Sequence, residues 1–154
     1  SSLHSDCQLP HMLGRLRAFR ERNAENYSGH MERLGATAGQ AVAAWKAENV
    51  GALLSAVASY EIGLRRLDDS AGIGIFSAVH ERLRAIAQEH AAVYKPSGAG
   101  GGDFGIALTD SRDVEQALRA DYAAAGYRTL DAELCAPGLT VRGGAMPAGH
   151  RGPG

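Results

Sequence analysis

Five of the nine residues from Ser97 to Gly105 are glycine, inside the run KPSGAGGGDFGIAL that begins at Lys95. Glycine reaches positive φ without a Cβ penalty, so consecutive glycines let backbone N–H groups converge into a concave nest for an anion such as phosphate. Ser97 adds a hydroxyl donor. Lys95 either reaches a phosphate or ends a strand as an exposed lysine. A flexible linker is the bland alternative for any glycine run. It leaves unexplained the strand signals on both sides, Ala91 to Lys95 before the run and Phe104 to Leu108 after it. Residue types alone therefore point to anion binding on a loop held between two strands.

Three phosphate-binding templates narrow that reading. The chain has no Gly-Lys pair, which excludes a Walker P-loop. Gly100, Gly102 and Gly105 match GxGxxG, but that dinucleotide fingerprint opens a helix. Here Phe104, Ile106 and Leu108 alternate with Gly105 and Ala107, giving a strand with one bulky face and one face that a neighbour approaches closely. A protein-kinase glycine loop does lie between strands, yet the Val-Ala-Ile-Lys and His-Arg-Asp motifs that accompany it are absent. His4, His11, His30, His80, His90 and His150 form no cluster with ligand spacing, so they are read as surface or helix residues and no metal site is expected.

The elements that must hold this loop are helices upstream and short strands around it. Met12, Leu16 and Phe19, then Tyr27, Met31, Leu34, Ala38, Ala41 and Trp45, recur at helical spacing, with a break expected near Ser28 and Gly29. Asn49 caps a helix striped by Val50, Leu53, Leu54, Val57, Tyr60, Leu64 and Leu67 that should end before Asp68. Ser77 caps another, carrying Val79, Leu83, Ile86 and Ala87. Residues 1–90 hold ten charges of each sign, read as a solvated helical surface. Past the glycines, Asp110 or Ser111 caps a helix with Val114, Ala117, Leu118 and Tyr122 inward, stopped by Gly126 at C′. Leu130, Ala132 and Leu134 then alternate as a strand, Pro137 and Gly138 suit a turn, and Leu139 and Val141 offer a partner strand. This order predicts an α+β domain with helices packed on one face of a small antiparallel sheet.

Composition bounds the rest. A chain of 154 residues that is 45% hydrophobic and 21% charged suffices for one domain with its own core. Sixteen basic against seventeen acidic residues give a formal charge of −1, no footprint for nucleic acid or an anionic membrane. Cys7 and Cys135 suggest neither a disulfide framework nor zinc, so a reducing cytoplasm is expected. No apolar run approaches the roughly 20 residues of a membrane span, and the first ten residues lack the regions of a signal peptide.

Ser97 to Leu108, SGAGGGDFGIAL, resembles the third motif of the GHMP kinases, and within them the form found in phosphomevalonate kinases. Asp103 discriminates, because mevalonate kinases carry another glycine there. Phe104 departs from that form, which has a cysteine followed by Gly-Ile-Ala-Leu. The resemblance extends more loosely to Leu64–Ala87, like the family's helix, loop and helix before the motif, and to Gly126–Leu130, like the entry to its final strand.

The resemblance implies a ferredoxin-like C-terminal domain over residues 11–142, preceded by a segment 1–10; residues 143–154, with no period and little to bury, are read as a disordered tail. It implies transfer of the γ-phosphoryl group of ATP, with Mg²⁺, to 5-phosphomevalonate, giving the diphosphate on the mevalonate route to isoprenoids. Ser97, Gly98, Ala99, Gly100, Gly101 and Gly102 would border the acceptor and the transferred phosphate, with the Ala99 N–H foremost. Asp103 is read as bracing the loop rather than as a base, since a bare carboxylate repels phosphates. The family's N-terminal half supplies the substrate lysine, the magnesium ligands and a Pro-x-x-x-Gly-Leu-Gly-Ser-Ser-Ala loop, none of which occurs here. The chain is therefore expected to be part of a longer kinase, inactive alone, with no catalytic residue of its own. Its partners would be the N-terminal kinase domain, ATP, phosphomevalonate and a second copy in a homodimer. Another GHMP kinase, mevalonate kinase-like, or a non-catalytic small-molecule-binding module are the alternatives.

Overall fold

Apolar residues at helical spacing place four helices first: α1 (Gln8–Arg22), α2 (Ala24–Lys46), α3 (Val50–Ala71) and α4 (Ala78–Glu89). They belong to a computed structural model that describes residues 8–97, 104–129, 140–142 and 145–147. Side-chain caps fix where helices begin. Asn49 accepts from Ala52 N–H at 3.0 Å and Ser77 from His80 N–H at 3.4 Å, both as expected. The first break falls at Asn23, not near Ser28 and Gly29. Asn23 accepts from Asn26 N–H at 3.2 Å, while Gly29 stays within α2. A helical glycine costs only about 1 kcal/mol, and packing of Tyr27, Met31 and Leu34 against the core outweighs it. α3 also continues past Asp68 to Ala71, where Gly72 takes the left-handed conformation at φ 61°. Asp68 brackets the turn that follows, its carboxylate accepting from Gly74 N–H at 2.7 Å and Phe76 N–H at 3.1 Å.

The period then shortens and strands appear. β1 (Val93–Pro96) and β2 (Gly105–Thr109) pair antiparallel, in register from Val93↔Leu108 to Pro96↔Gly105. Ser111 caps α5 (Arg112–Ala124), and Gly126 at φ 86° turns the chain into β3 (Tyr127–Thr129). β4 (Thr140–Arg142) is the expected return strand, but it pairs with β2 on the side away from β1. β5 (Ala145–Pro147) pairs antiparallel with β3 and lies inside the stretch read as a disordered tail. A three-residue ladder needs only backbone N–H and C=O groups, which no hydrophobic period announces. The expected strand at Leu130, Ala132 and Leu134 and the turn at Pro137 and Gly138 lie outside the described residues, as do residues 1–7.

The result is an α+β fold, mostly helical with a small antiparallel sheet. One sheet face, with Tyr94 and Ala107, packs on α4 and α5 through Leu83, Ala87, Leu118 and Tyr122. The other face is covered as well: Val93, Ile106 and Leu108 meet Ala44, Leu53 and Val57 of α2 and α3. A further cluster of Met12, Phe19, Leu34, Leu67, Ile73 and Ile75 ties α1 to α2, α3 and the turn before α4. Among the described residues, no helix is long and apolar enough to cross a membrane.

Candidate functional site

The β1–β2 hairpin ends where the glycine run begins. Ser97 N–H donates to the Phe104 carbonyl at 3.0 Å, carrying the ladder one step beyond the Pro96↔Gly105 pair. Bonded and non-bonded pairs alternate in an antiparallel ladder, so Pro96 occupies a non-bonded position where its missing N–H costs β2 nothing. Pro96 is among the most deeply buried side chains of the protein. Ser97 and Phe104 thus form a fixed mouth. Of the residues singled out from the sequence, Ser97 and Lys95 are placed by the structure. Gly98, Ala99, Gly100, Gly101, Gly102 and Asp103 lie outside the described residues.

Lys95 sits opposite Ile106, two residues before Ser97. It is half-buried rather than an exposed strand-end lysine. Its ammonium donates to the Pro96 carbonyl at 3.1 Å and lies 5.6 Å from the centre of the Tyr60 ring on α3. Burial holds its pKa below the ordinary lysine value. An ammonium has three donors, so one carbonyl leaves capacity for an anion at the same end of the hairpin.

Behind the mouth stands a pair that the sequence did not reveal. Tyr94 is 5% exposed and His80 fully buried, and the tyrosine hydroxyl and His80 Nδ1 are hydrogen-bonded at 2.7 Å. A Cβ added at Gly105 would overlap the Tyr94 hydroxyl and ring. This is the close approach that the small Gly105 and Ala107 face implies, and the approaching group is Tyr94. The alternation of small and bulky residues signalled that something must come near. It carried no sign of which residue, because His80 and Tyr94 belong to different elements.

Charged side chains lie beside this assembly, between α3 and α4. Glu61, 5% exposed, departs from the expected solvated surface. Arg84 Nε lies 2.8 Å from its carboxylate and an Arg65 nitrogen 3.6 Å, and the Nε–H of Arg84 is not aimed for a hydrogen bond. Arg65 in turn donates to Glu81 at 2.6 Å and stacks 4.3 Å over Phe76. The bond to Glu81 raises the Arg65 pKa above its ordinary value, against the opposing effect of burial. His30 is buried too, within 3.2 Å of the Ser70 hydroxyl, and burial followed by the charges of Arg33 and Arg66 lowers its pKa. Among the described residues, no group of three His, Cys, Asp or Glu side chains could hold a metal ion.

No protein-family model matches the chain. It is similar to part of a phosphomevalonate kinase. The match to the phosphomevalonate kinase of Streptomyces sp. (strain CL190) is 46% identical over 70 residues, covering 44% of this chain and 18% of that protein. The chain also resembles the solved structure of the Lin0012 protein from Listeria innocua, with a TM-score of 0.72 at 24% identity, over 77% of this chain and 33% of that one. That second likeness concerns the fold alone. Both matches span a third or less of the other protein's length. Over the matched stretch, the chain is related to that kinase.

Proposed function

We propose that this chain is the C-terminal part of a GHMP-type phosphomevalonate kinase, which phosphorylates 5-phosphomevalonate at the expense of ATP. The observation that carries this reading is the closed hairpin mouth at Ser97 and Phe104, on which the SGAGGGD sequence is mounted. Phosphoryl transfer is mainly positioning and electrostatic stabilisation, and a glycine loop anchored at both ends suits positioning. Backbone N–H groups from Ser97 through Gly102 would border the acceptor phosphate and the transferred group, with Ala99 central. Lys95 would add a cation from the hairpin's flank. Asp103 would brace the loop. Magnesium, which neutralises developing charge on the phosphates, would be held mainly by the nucleotide and by the N-terminal half of such a kinase. A cytoplasmic location suits such a kinase.

The test uses both this chain and the longer gene product that contains it. The chain alone should bind 5-phosphomevalonate by calorimetry and release no ADP from ATP, whereas the longer protein should release ADP with 5-phosphomevalonate as acceptor. Activity with mevalonate but not its phosphate would move the protein to a mevalonate kinase-like class. Binding without phosphoryl transfer by the longer protein would make it a non-catalytic module.

A further inference from the structure

We infer that Tyr94 and His80 are positioning residues that set the geometry of the hairpin mouth for a phosphorylated acceptor. This rests on the phosphate-loop reading above. His80 occupies the first turn of α4, where its backbone N–H is capped by Ser77 and its ring is fully buried. Its Nδ1 fixes the Tyr94 hydroxyl at 2.7 Å. The Tyr94 ring then rests directly on Gly105, the first residue of β2, next to Phe104 of the mouth. α4 is itself tied to α5, because the Tyr122 hydroxyl donates to the Leu83 carbonyl at 2.9 Å. A continuous run of contacts thus links α5, α4, Tyr94 and Gly105.

Packing alone does not call for this chemistry. Burying a hydroxyl and an imidazole is costly unless they bond well, and a phenylalanine would fill the same space with no polar group to satisfy. The bond holds one ring position, and a ring position sets how closely β2 approaches β1 at the pair nearest the mouth. A shift of that ring would pass through Gly105 to its neighbour Phe104 and, by the Ser97–Phe104 bond, to Ser97.

The experiment compares the unaltered chain with Tyr94→Phe, His80→Leu and His80→Asn, the last retaining a polar atom near the Nδ1 position. Backbone amide resonances of Ser97, Phe104 and Gly105 are read by NMR, and affinity for 5-phosphomevalonate by calorimetry. Tyr94→Phe should shift those three amides while leaving α1 and α2 resonances in place. It should weaken binding about three- to tenfold, the effect of one net hydrogen bond. His80→Leu should do the same, and His80→Asn should recover part of the loss. A lowered melting temperature with unmoved amides and unchanged affinity would reduce the pair to core packing and overturn the inference. If the amides move but the unaltered chain binds no 5-phosphomevalonate, the positioning stands and the phosphate reading falls. Should Tyr94→Phe fail to fold, the comparison of His80→Asn with the unaltered chain decides by the same amides.

Discussion

Gly105→Ala is the sharpest perturbation the structure offers. The new methyl group would occupy space held by the Tyr94 hydroxyl and ring, and that ring is only 5% exposed and bonded to His80. It has no free direction in which to swing. Forcing it aside overpacks a filled region, at about 1–3 kcal/mol, and breaks a buried hydrogen bond, at about 1–3 kcal/mol more. The sum, about 2–6 kcal/mol, corresponds to a fall in melting temperature of about 4–24 °C for a chain of this size. A double-mutant cycle isolates the contact. In a Tyr94→Leu background the overlapping atoms are gone, and Gly105→Ala should then cost less than about 0.5 kcal/mol, because alanine in a strand restricts the unfolded chain more than glycine does. Urea unfolding of the four proteins gives the coupling energy, the first cost less the second, expected at about 1.5–6 kcal/mol. Equal costs in both backgrounds would refute the contact. So would a cost below about 0.5 kcal/mol in the unaltered protein.

Two further changes test the charged surroundings of the hairpin. Glu61→Gln removes the buried partner of Arg84 and Arg65, whose side chains are 25% and 26% exposed. Water recovers part of the loss at such exposure, so urea midpoints should report a destabilisation of about 1–3 kcal/mol, below that of a fully buried pair, and an unchanged midpoint would show the pairing to be inert. Lys95→Met addresses a lysine whose folded pKa lies below 10.5 because of burial. The unfolded chain therefore holds that proton more tightly, and the charge costs stability at neutral pH. That cost disappears as pH rises through the lowered folded value toward 10.5. Lys95→Met should raise stability at pH 7, flatten the alkaline rise in chemical-denaturation profiles, and weaken 5-phosphomevalonate binding about tenfold by removing the cation beside Ser97. A parallel alkaline profile or unchanged affinity would count against the assigned role.

Local chemistry was readable in the chain, and non-local chemistry was not. Asn49, Ser77, Ser111 and Gly126 act within a few residues of themselves, so their capping roles follow from sequence position. Asn23 acts in the same way, but Gly29, a stronger breaker by residue type, lies within the same helix and obscures that start. Glu61 looked like one more surface charge. Its burial depends on arginines from two helices meeting it, which its own helix cannot announce. The site divides along the same line: the glycine run between two strands was visible in composition and period, whereas the Tyr94–His80 pair needed α4 to be folded against β1. Leu139 and Val141 announced a return strand at β4 but not its pairing with β2, and no side-chain pattern announced β5.

Pro96 has a consequence for the outer side of β1. Among the described residues β1 pairs with β2 alone, and the ladder alternation turns the backbone of Tyr94 and Pro96 outward, away from β2. Proline has no N–H to offer there. Pro96 is among the most deeply buried side chains and Tyr94 is 5% exposed, so a donor turned outward at Pro96 would be cut off from water, and proline removes that donor instead of leaving it unpaired beside the mouth.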